Sequence, residues 1–455
     1  MPDPERVTLR RQLGLLDATM IVVSGVIGGG IFFTPSVVAT ALPHGGWMLA
    51  VWAAGLLIAF AGALTFAELG ARFPDAGGHY VYIRRAFGPL PAFLYGWVLL
   101  LIIATGALAS LALAFAAYLA AFVPLSPGAQ KGVAVATILG LSLLNALGLR
   151  LGSRTVTAIT LLKIASLAAL IGGGAWVLLA GGAALPGTAA MVAPAPSGWP
   201  PGSLALAFGA ALVPVLFSCG GWQQLNMVGG EVAEPERRIP AALALGVGIV
   251  AVAYLGVNAI FLGALGPGGV AASSRVAADA AEALFGPVGA RLVTAAVALS
   301  ILGITNVIVL ASPRVYFALA AEGVFLPSLA RIHPRWGTPA RAIALQAVWA
   351  SLLALAGSIG ALVNGVVFAD WIFFGLGAAS LFVIRRRDVS VDDAGLGPRP
   401  PRFRTPLYPW LPGFFVAAAA LAVASAVAAY PRESLLGAAL LGVGAVVYLL
   451  RSSRR

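Results

Sequence analysis

The chain has 455 residues, of which 60% are hydrophobic and 10% are charged, and its formal net charge is +12. A soluble domain of this composition would lack a charged surface, so the composition excludes that class and indicates a polytopic membrane protein. The single cysteine, Cys219, excludes an intramolecular disulfide, and the three histidines (His44, His79 and His333) show no metal-ligand spacing. We therefore expect no metal and no cofactor.

About twelve apolar runs are long enough to cross a bilayer as helices. They are predicted near residues 12–41, 47–70, 89–123, 131–149, 153–180, 203–232, 239–266, 287–321, 340–357, 361–384, 408–430 and 434–451. No short apolar core with a cleavage site follows the N-terminal run. We expect the first helix to serve as an uncleaved insertion signal.

The basic residues collect on one side of the membrane when alternate loops are assigned to that side. Of the 28 lysines and arginines, only Lys131, Arg275, Arg291 and Arg432 fall on the other side, and Lys163 lies within a span, which leaves 23. The positive-inside rule makes the side with 23 the cytoplasm, so both termini are expected there, in a cell (inner) membrane. The net charge thus reflects topology and indicates no nucleic-acid partner.

The first span contains an unusual glycine cluster, Gly28 to Gly30, followed by Pro35. Glycine is less favourable in a helix than alanine by about 1 kcal/mol, and backbone groups freed at membrane depth are tolerated where they line a cavity. We expect an interrupted helix whose second half presents N–H groups and a positive dipole end to a carboxylate. Glycines that only allow close helix packing are the alternative.

Two charged residues lie deep in predicted spans. Lys163 falls about nine residues, or roughly 14 Å, past Arg154, near the bilayer centre. An ammonium group there is costly, so we expect Lys163 to be neutral or to pair with carbonyls of the interrupted first helix. Asp370, in the tenth span, attracts a cationic substrate, carries a proton, or has a structural role such as contact with Arg314; the sequence leaves these three roles open.

The sixth span contains a second interruption, in the sequence Phe217-Ser-Cys-Gly-Gly-Trp222. Two interrupted spans five helices apart indicate a transporter built from an inverted repeat. Helices 1–5 (about 12–180) and 6–10 (about 203–384) then form a core over residues 1–385. Residues 386–455 hold a cytoplasmic linker and helices 11 and 12. Trp222 is expected to pack in the core, and Phe217 lines the break or packs as well.

These motifs resemble those of the amino acid–polyamine–organocation (APC) transporters. Gly25-Val-Ile-Gly-Gly-Gly-Ile-Phe32 is similar to the first-helix signature, and Gly220-Gly-Trp222 with Asn226 and Glu231 is similar to the sixth-helix signature of the L-amino-acid transporter branch. The resemblance extends from about residue 12 to 385. It implies an all-α membrane protein of twelve helices with the leucine-transporter fold: a 5+5 inverted repeat with broken helices 1 and 6, plus two C-terminal helices.

The resemblance also implies a substrate site. The N–H groups of Gly28, Gly29 and Gly30 would hold the substrate carboxylate, although Gly29 departs from the usual Ser or Thr. Phe217 would close the outer gate, and Lys163 stands where relatives bind sodium and would serve in coupling. Asp370 departs from the Asn of eukaryotic members. The ammonium group would be received by carbonyls around Val26, Ile27, Phe217, Ser218 and Gly220.

We expect a secondary-active, sodium-independent transporter of neutral L-amino acids, either an exchanger or a proton-coupled permease, working by alternating access. The alternative is a cationic amino acid or polyamine permease, which Asp370 favours. A channel would need a continuous polar stripe or a filter loop, and an enzyme a nucleophile–base or metal set; neither is evident. The expected partners are the amino acid and the bilayer. A disulfide-linked heavy chain is not expected because Cys219 lies within a span.

Overall fold

The computed structural model describes residues 9–180, 203–356, 359–392, 402–429 and 431–452. Within these residues the chain is helical, and the sole β-type pairing is an isolated parallel bridge between Leu13 and Val232. The predicted all-α class is therefore confirmed for the described part. Both chain termini, the connection over 181–202 and part of the predicted linker (393–401) lie outside the described residues.

Residues 9–180 form eight helices, and a π-helical turn, Leu99–Ile103, joins the fifth to the sixth. They are α1 (Leu15–Val26), α2 (Gly30–Ala41), α3 (Gly45–Arg72), α4 (His79–Phe87), α5 (Pro89–Val98), α6 (Ala104–Leu119), α7 (Pro127–Ala146) and α8 (Leu149–Ala180).

The described residues from 203 to 452 form eight more helices, with short 3₁₀ turns at Gly229–Glu231 and Pro327–Ala330. They are α9 (Ser203–Ser218), α10 (Gln224–Met227), α11 (Pro235–Ala272), α12 (Val276–Ala321), α13 (Ala340–Ala356), α14 (Ile359–Asp392), α15 (Trp410–Ala429) and α16 (Pro431–Ser452).

Nine helical segments of the described part are long and apolar enough to cross a membrane, and α9 and α13 are shorter apolar helices. The predicted spans 239–266 and 287–321 lie inside α11 and α12, which bend sharply at Gly266 and Gly286. These glycines have φ values of 68° and 72°, a region that other residues avoid, and a proline follows each of them. The helices therefore change direction where the sequence ends one apolar run or begins the next.

The interrupted segments lie inside the bundle rather than at its surface. α1 packs against α8, α11 and α12, and α2 packs against α9 and α11. α6 packs against α12 and α14. Residues of α6, α12 and α14 consequently face the gap between α1 and α2, and they form the remaining walls of the site.

Candidate functional site

The backbone at the end of α1, where the gap between α1 and α2 begins, crosses the segment that follows α9. A Cβ atom at Gly25 would lie 2.5 Å from the carbonyl oxygen of Gly221, and a Cβ atom at Gly221 would lie even closer to the carbonyl oxygen of Gly25. Gly221 also has a φ of 107°, in the left-handed region. Only glycine at both positions allows the two backbones to approach this closely, so the two glycine motifs form one structural unit.

A cavity of about 380 Å³ lies beside this crossing. It extends along one wall from Leu99 to Ala114 of the α5–α6 segment. Ile27 and Lys163 do not line it, because they are buried behind it with 0% and 2% of their surface exposed. The other predicted site residues do line it: Val26, Gly28, Gly29, Gly30, Phe217, Ser218, Gly220 and Asp370.

Three glycines at the start of α2, Gly28 to Gly30, line this cavity. The first N–H groups of a helix have no intrahelical acceptor and carry the positive end of the helix dipole. The nearest local bonds are those from Ile27 N to the Val23 carbonyl and from Phe32 N to the Gly29 carbonyl. Gly28 and Gly30 both line the cavity. This arrangement suits a carboxylate or another small anion.

Several of the backbone carbonyls already have protein donors. The hydroxyl of Tyr254, in α11, lies 2.8 Å from the Val26 oxygen and 3.2 Å from the Ser218 oxygen. The sequence prediction did not include Tyr254. The only signal was a tyrosine in an apolar span, whose hydroxyl needs a polar partner when buried. One side chain thus ties the end of α1 to the end of α9.

Lys163 reaches the same region from α8. Its Nζ donates to the Ile27 carbonyl at 2.5 Å and lies 3.4 Å from the Ser24 hydroxyl. The Ser300 hydroxyl, in α12, also donates to the Ile27 carbonyl, at 3.2 Å. Within the described part of the chain, no carboxylate lies within 4 Å of this nitrogen. The Ile27 carbonyl thus accepts hydrogen bonds from side chains of α8 and α12, behind the cavity wall.

Asp370 lies half-buried in the cavity wall on α14. No lysine or arginine nitrogen of the described residues is within 4 Å of its carboxylate. Arg314 instead forms an ion pair with Glu231, at 2.8 and 3.1 Å, so the structural role for Asp370 through Arg314 is wrong. Gln224 also lines the cavity; it is 8% exposed, and its Oε1 has no hydrogen-bond partner among the described residues. The side chains of Asp370 and Gln224 both offer hydrogen-bond acceptors to the cavity.

Aromatic side chains form much of the apolar wall. Phe217 and Phe33 line the cavity with 42% and 41% of their surface exposed. Trp371 and Phe374 form another part of the wall. Trp222 is 2% exposed and stacks on Phe374 at 5.8 Å between ring centroids, which is the packing role predicted from the sequence.

Away from the cavity, a buried ion pair holds the start of α1. Glu231 and Arg314 each have 1% of their side-chain surface exposed. The Glu231 carbonyl accepts hydrogen bonds from the N–H groups of Gln12 and Leu13, at 2.8 and 2.9 Å, and Ala233 N donates to the Leu13 carbonyl. The residues before α1 are therefore fixed to the loop before α11, and that loop is fixed to α12.

A second ionic cluster lies at the end of α3. The Glu68 carboxylate accepts hydrogen bonds from Arg385 of α14 at 3.0 and 2.5 Å, from Arg72 at 2.9 Å and from the Thr405 N–H at 2.6 Å. Arg72 also contacts Asp388. Four charged side chains and one backbone group therefore join α3, α14 and the segment before α15.

The loop helix α4 is attached to α12 nearby. Tyr80 and Arg84 both contact the Glu322 carboxylate. Burial, and then the nearby Glu322 carboxylate, raise the pKa of Tyr80 well above its usual range, so it remains a phenol that donates its hydrogen. Among the described residues, no group of three or more His, Cys, Asp or Glu side chains could hold a metal ion.

Comparison with known protein families identifies the class. The family model described as "Amino acid permease" matches residues 13–448. This match covers nearly the whole chain and confirms the predicted resemblance to the APC transporters.

Individual relatives agree with this class and carry different substrate names. The chain is 32% identical over 394 residues to the b(0,+)-type amino acid transporter 1 of Oryctolagus cuniculus, covering 84% of this chain and 78% of the relative. It is 29% identical over 412 residues to the serine/threonine exchanger SteT of Bacillus subtilis, covering 89% and 88%. It is 30% identical over 458 residues to the cystine/glutamate transporter of Pongo abelii, covering 99% and 87%.

Proposed function

The chain belongs to the amino acid permease family, and from that membership we propose that it is a sodium-independent, secondary-active transporter of neutral L-amino acids. The observation that supports this most directly is the cavity at the start of α2, which Gly28, Gly29 and Gly30 line. The transport mechanism proposed is alternating access, as an exchanger or a proton-coupled permease.

Recognition of the amino acid backbone follows from the two helix ends. The N–H groups of Gly28–Gly30 bind the carboxylate, favoured by the dipole of α2. The ammonium group is received by free lone pairs of the Val26, Phe217, Ser218 and Gly220 carbonyls, since a carbonyl that already accepts one hydrogen bond keeps a second lone pair. Ile27 falls out of this set, because its carbonyl faces Lys163 and Ser300 behind the wall.

A neutral side chain fits the rest of the wall. Leu99, Ile103, Ile304 and Ile308 line the cavity, and an apolar side chain of the substrate would displace water from them. A zwitterion has no net charge, so the helix-end dipoles are sufficient to hold it in the membrane interior. The combination favours neutral amino acids.

Independence from sodium rests on Lys163. A cation-binding site between α1 and α8 would need the oxygen atoms of Ile27 and Ser24, and the Lys163 ammonium group contacts both. We infer that its fixed charge replaces the sodium ion of related transporters and couples α8 to the interruption. Phe217 closes the cavity over the bound amino acid, because it lines the cavity and 42% of its surface is exposed.

The proposal includes the topology expected from the sequence. Residues 1–385 form the 5+5 inverted-repeat core, and residues 386–455 form the cytoplasmic linker with helices 11 and 12. The crossing of Gly25 with Gly221 supports the paired interruptions. Both termini lie on the cytoplasmic side of the inner membrane. The single cysteine is 1% exposed, which supports the absence of a disulfide-linked heavy chain.

The test is counterflow in proteoliposomes. Purified protein is reconstituted with an internal L-amino acid, and uptake of the labelled external one is followed for the L- and D-isomers. We expect saturable, stereospecific uptake of neutral L-amino acids that is the same in sodium and in N-methylglucamine buffer. Comparison of counterflow with uptake driven by a pH gradient separates an exchanger from a proton-coupled permease. Uptake that does not saturate, or that requires sodium, contradicts the proposal.

A second candidate, a cationic amino acid or polyamine permease, is favoured by one specific observation. Asp370 lines the cavity without a basic partner among the described residues, and the unpartnered Oε1 of Gln224 is a second acceptor. An ionised carboxylate there would bind a guanidinium, ammonium or diamine group through charge-assisted hydrogen bonds. Substrate uptake and its pH dependence in the Asp370→Asn variant and in wild type distinguish the two candidates. Loss of arginine or lysine uptake alone supports this candidate, loss of pH dependence alone makes Asp370 a proton carrier, and no change in either leaves the neutral-substrate proposal.

A further inference from the structure

Phe33 occupies the space that a side chain at Gly29 would take. It follows Gly29 by four residues, one turn along α2, and its Cε2 atom lies 3.0 Å from the position of a Cβ atom built on Gly29. That separation is tighter than ordinary van der Waals contact, so any side chain at position 29 would push the ring away. The ring can lie against the start of α2 because residue 29 is glycine.

The same ring also contacts α6, whose residues Ala104 to Ala114 form another wall of the cavity. Its centroid lies 6.0 Å from that of Tyr118, at an interplanar angle of 62°, which is the edge-to-face arrangement that aromatic pairs favour. Tyr118 is near the end of α6, beyond the cavity residue Ala114. Phe33 therefore links α2, which begins at the cavity glycines, with α6, which forms another part of the cavity wall.

We propose that Phe33 is a gate and specificity residue, which covers the carboxylate end of the cavity while Phe217 covers it from α9. This inference rests on the proposed carboxylate site at Gly28–Gly30. The ring keeps water away from the N–H groups, and hydrogen bonds and charge interactions are stronger where water is excluded. It also leaves little room for an additional group on the carboxylate, so esters and amides are rejected by contact with the ring as well as by loss of charge.

The first test is a double-mutant cycle of Gly29→Ala and Phe33→Ala. The probe is the proteinogenic L-amino acid that binds the wild-type protein most tightly, with Kd measured by tryptophan fluorescence. We expect Gly29→Ala to weaken binding at least about tenfold in the wild-type background and less than about twofold in the Phe33→Ala background, because residues in contact are energetically coupled. Equal costs of Gly29→Ala in the two backgrounds would overturn the inference.

The second test measures selectivity and stands even if Gly29→Ala does not fold. In wild type, the methyl ester of the probe should bind far more weakly than the free acid, and Phe33→Ala should reduce this ratio at least severalfold. Val37→Ala is the matched control: Val37 lies one turn further along α2, is 53% exposed and does not line the cavity. An unchanged ratio in Phe33→Ala overturns the inference. Failure of wild type to bind any amino acid overturns the proposed function instead.

Discussion

Replacing Tyr254 by phenylalanine removes one hydroxyl and leaves the ring in place. The hydroxyl lies 2.8 Å from the Val26 oxygen and 3.2 Å from the Ser218 oxygen, and Tyr254 is fully buried. An acceptor left without its donor in a buried site costs about 1–3 kcal/mol. The carbonyls that Tyr254 holds are also those assigned to the substrate ammonium group. Without the hydroxyl they turn towards other donors, and binding has to turn them back, so this cost appears in the Kd.

At about 1.4 kcal/mol for each factor of ten, this cost corresponds to a Kd about 5- to 150-fold higher. Binding is measured by fluorescence titration and folding by thermal unfolding in detergent, on the same preparation. Tyr316→Phe is the control, because Tyr316 is equally buried but its hydroxyl makes only a 3.4 Å contact, with the Leu99 carbonyl. A Tyr254→Phe protein that binds within about twofold of wild type would refute the reasoning, since the smallest cost of a lost buried partner corresponds to about fivefold.

Three further changes test the other parts of the site. Lys163→Ala should bind at least about tenfold more weakly at every sodium concentration, since the Ile27 carbonyl loses a charged donor; recovery in sodium buffer would show a sodium site instead. Phe217→Ala should keep measurable binding but lose most counterflow, because occlusion fails; wild-type counterflow would rule out the gate. Gly30→Val should abolish binding in protein that still elutes as a single species, since a Cβ atom there lies 2.6 Å from the Ser218 hydroxyl; normal binding would exclude the carboxylate assignment.

The sequence was sufficient for features that depend on local composition. Apolar runs predicted the helical class. Helix boundaries lie next to the glycines at 28–30 and 220–221, at Val26 and Gly30 and at Ser218 and Gln224. The depth of Lys163 pointed to carbonyls of the first helix, and the structure places its Nζ beside the Ile27 carbonyl. Each of these rests on residue type and spacing along one chain segment.

Partner choice across the bundle could not be obtained in this way. Tyr254, Ser300 and Gln224 carry no distinctive spacing, and their roles depend on which helices pack together. The sequence left contact between Asp370 and Arg314 open, whereas Arg314 pairs with Glu231, which lies 83 residues away in sequence. The family resemblance assigns the Ile27 carbonyl to the substrate, and the sequence does not give the direction in which that peptide group points.

Because the Glu231–Arg314 pair is buried, the free energy of separating the start of α1 from α12 depends on whether water enters between them. Removal of each ion from water costs several kcal/mol, and that cost returns as hydration when water enters and the pair separates. An apolar contact behaves in the opposite way, because opening it exposes apolar surface to water at a cost of about 25 cal/mol per Å². Hydration of ions becomes less favourable as temperature rises, because it has a negative entropy. Warming should therefore shift the protein towards the closed pair, and cooling should lengthen the time that this end of the bundle stays hydrated.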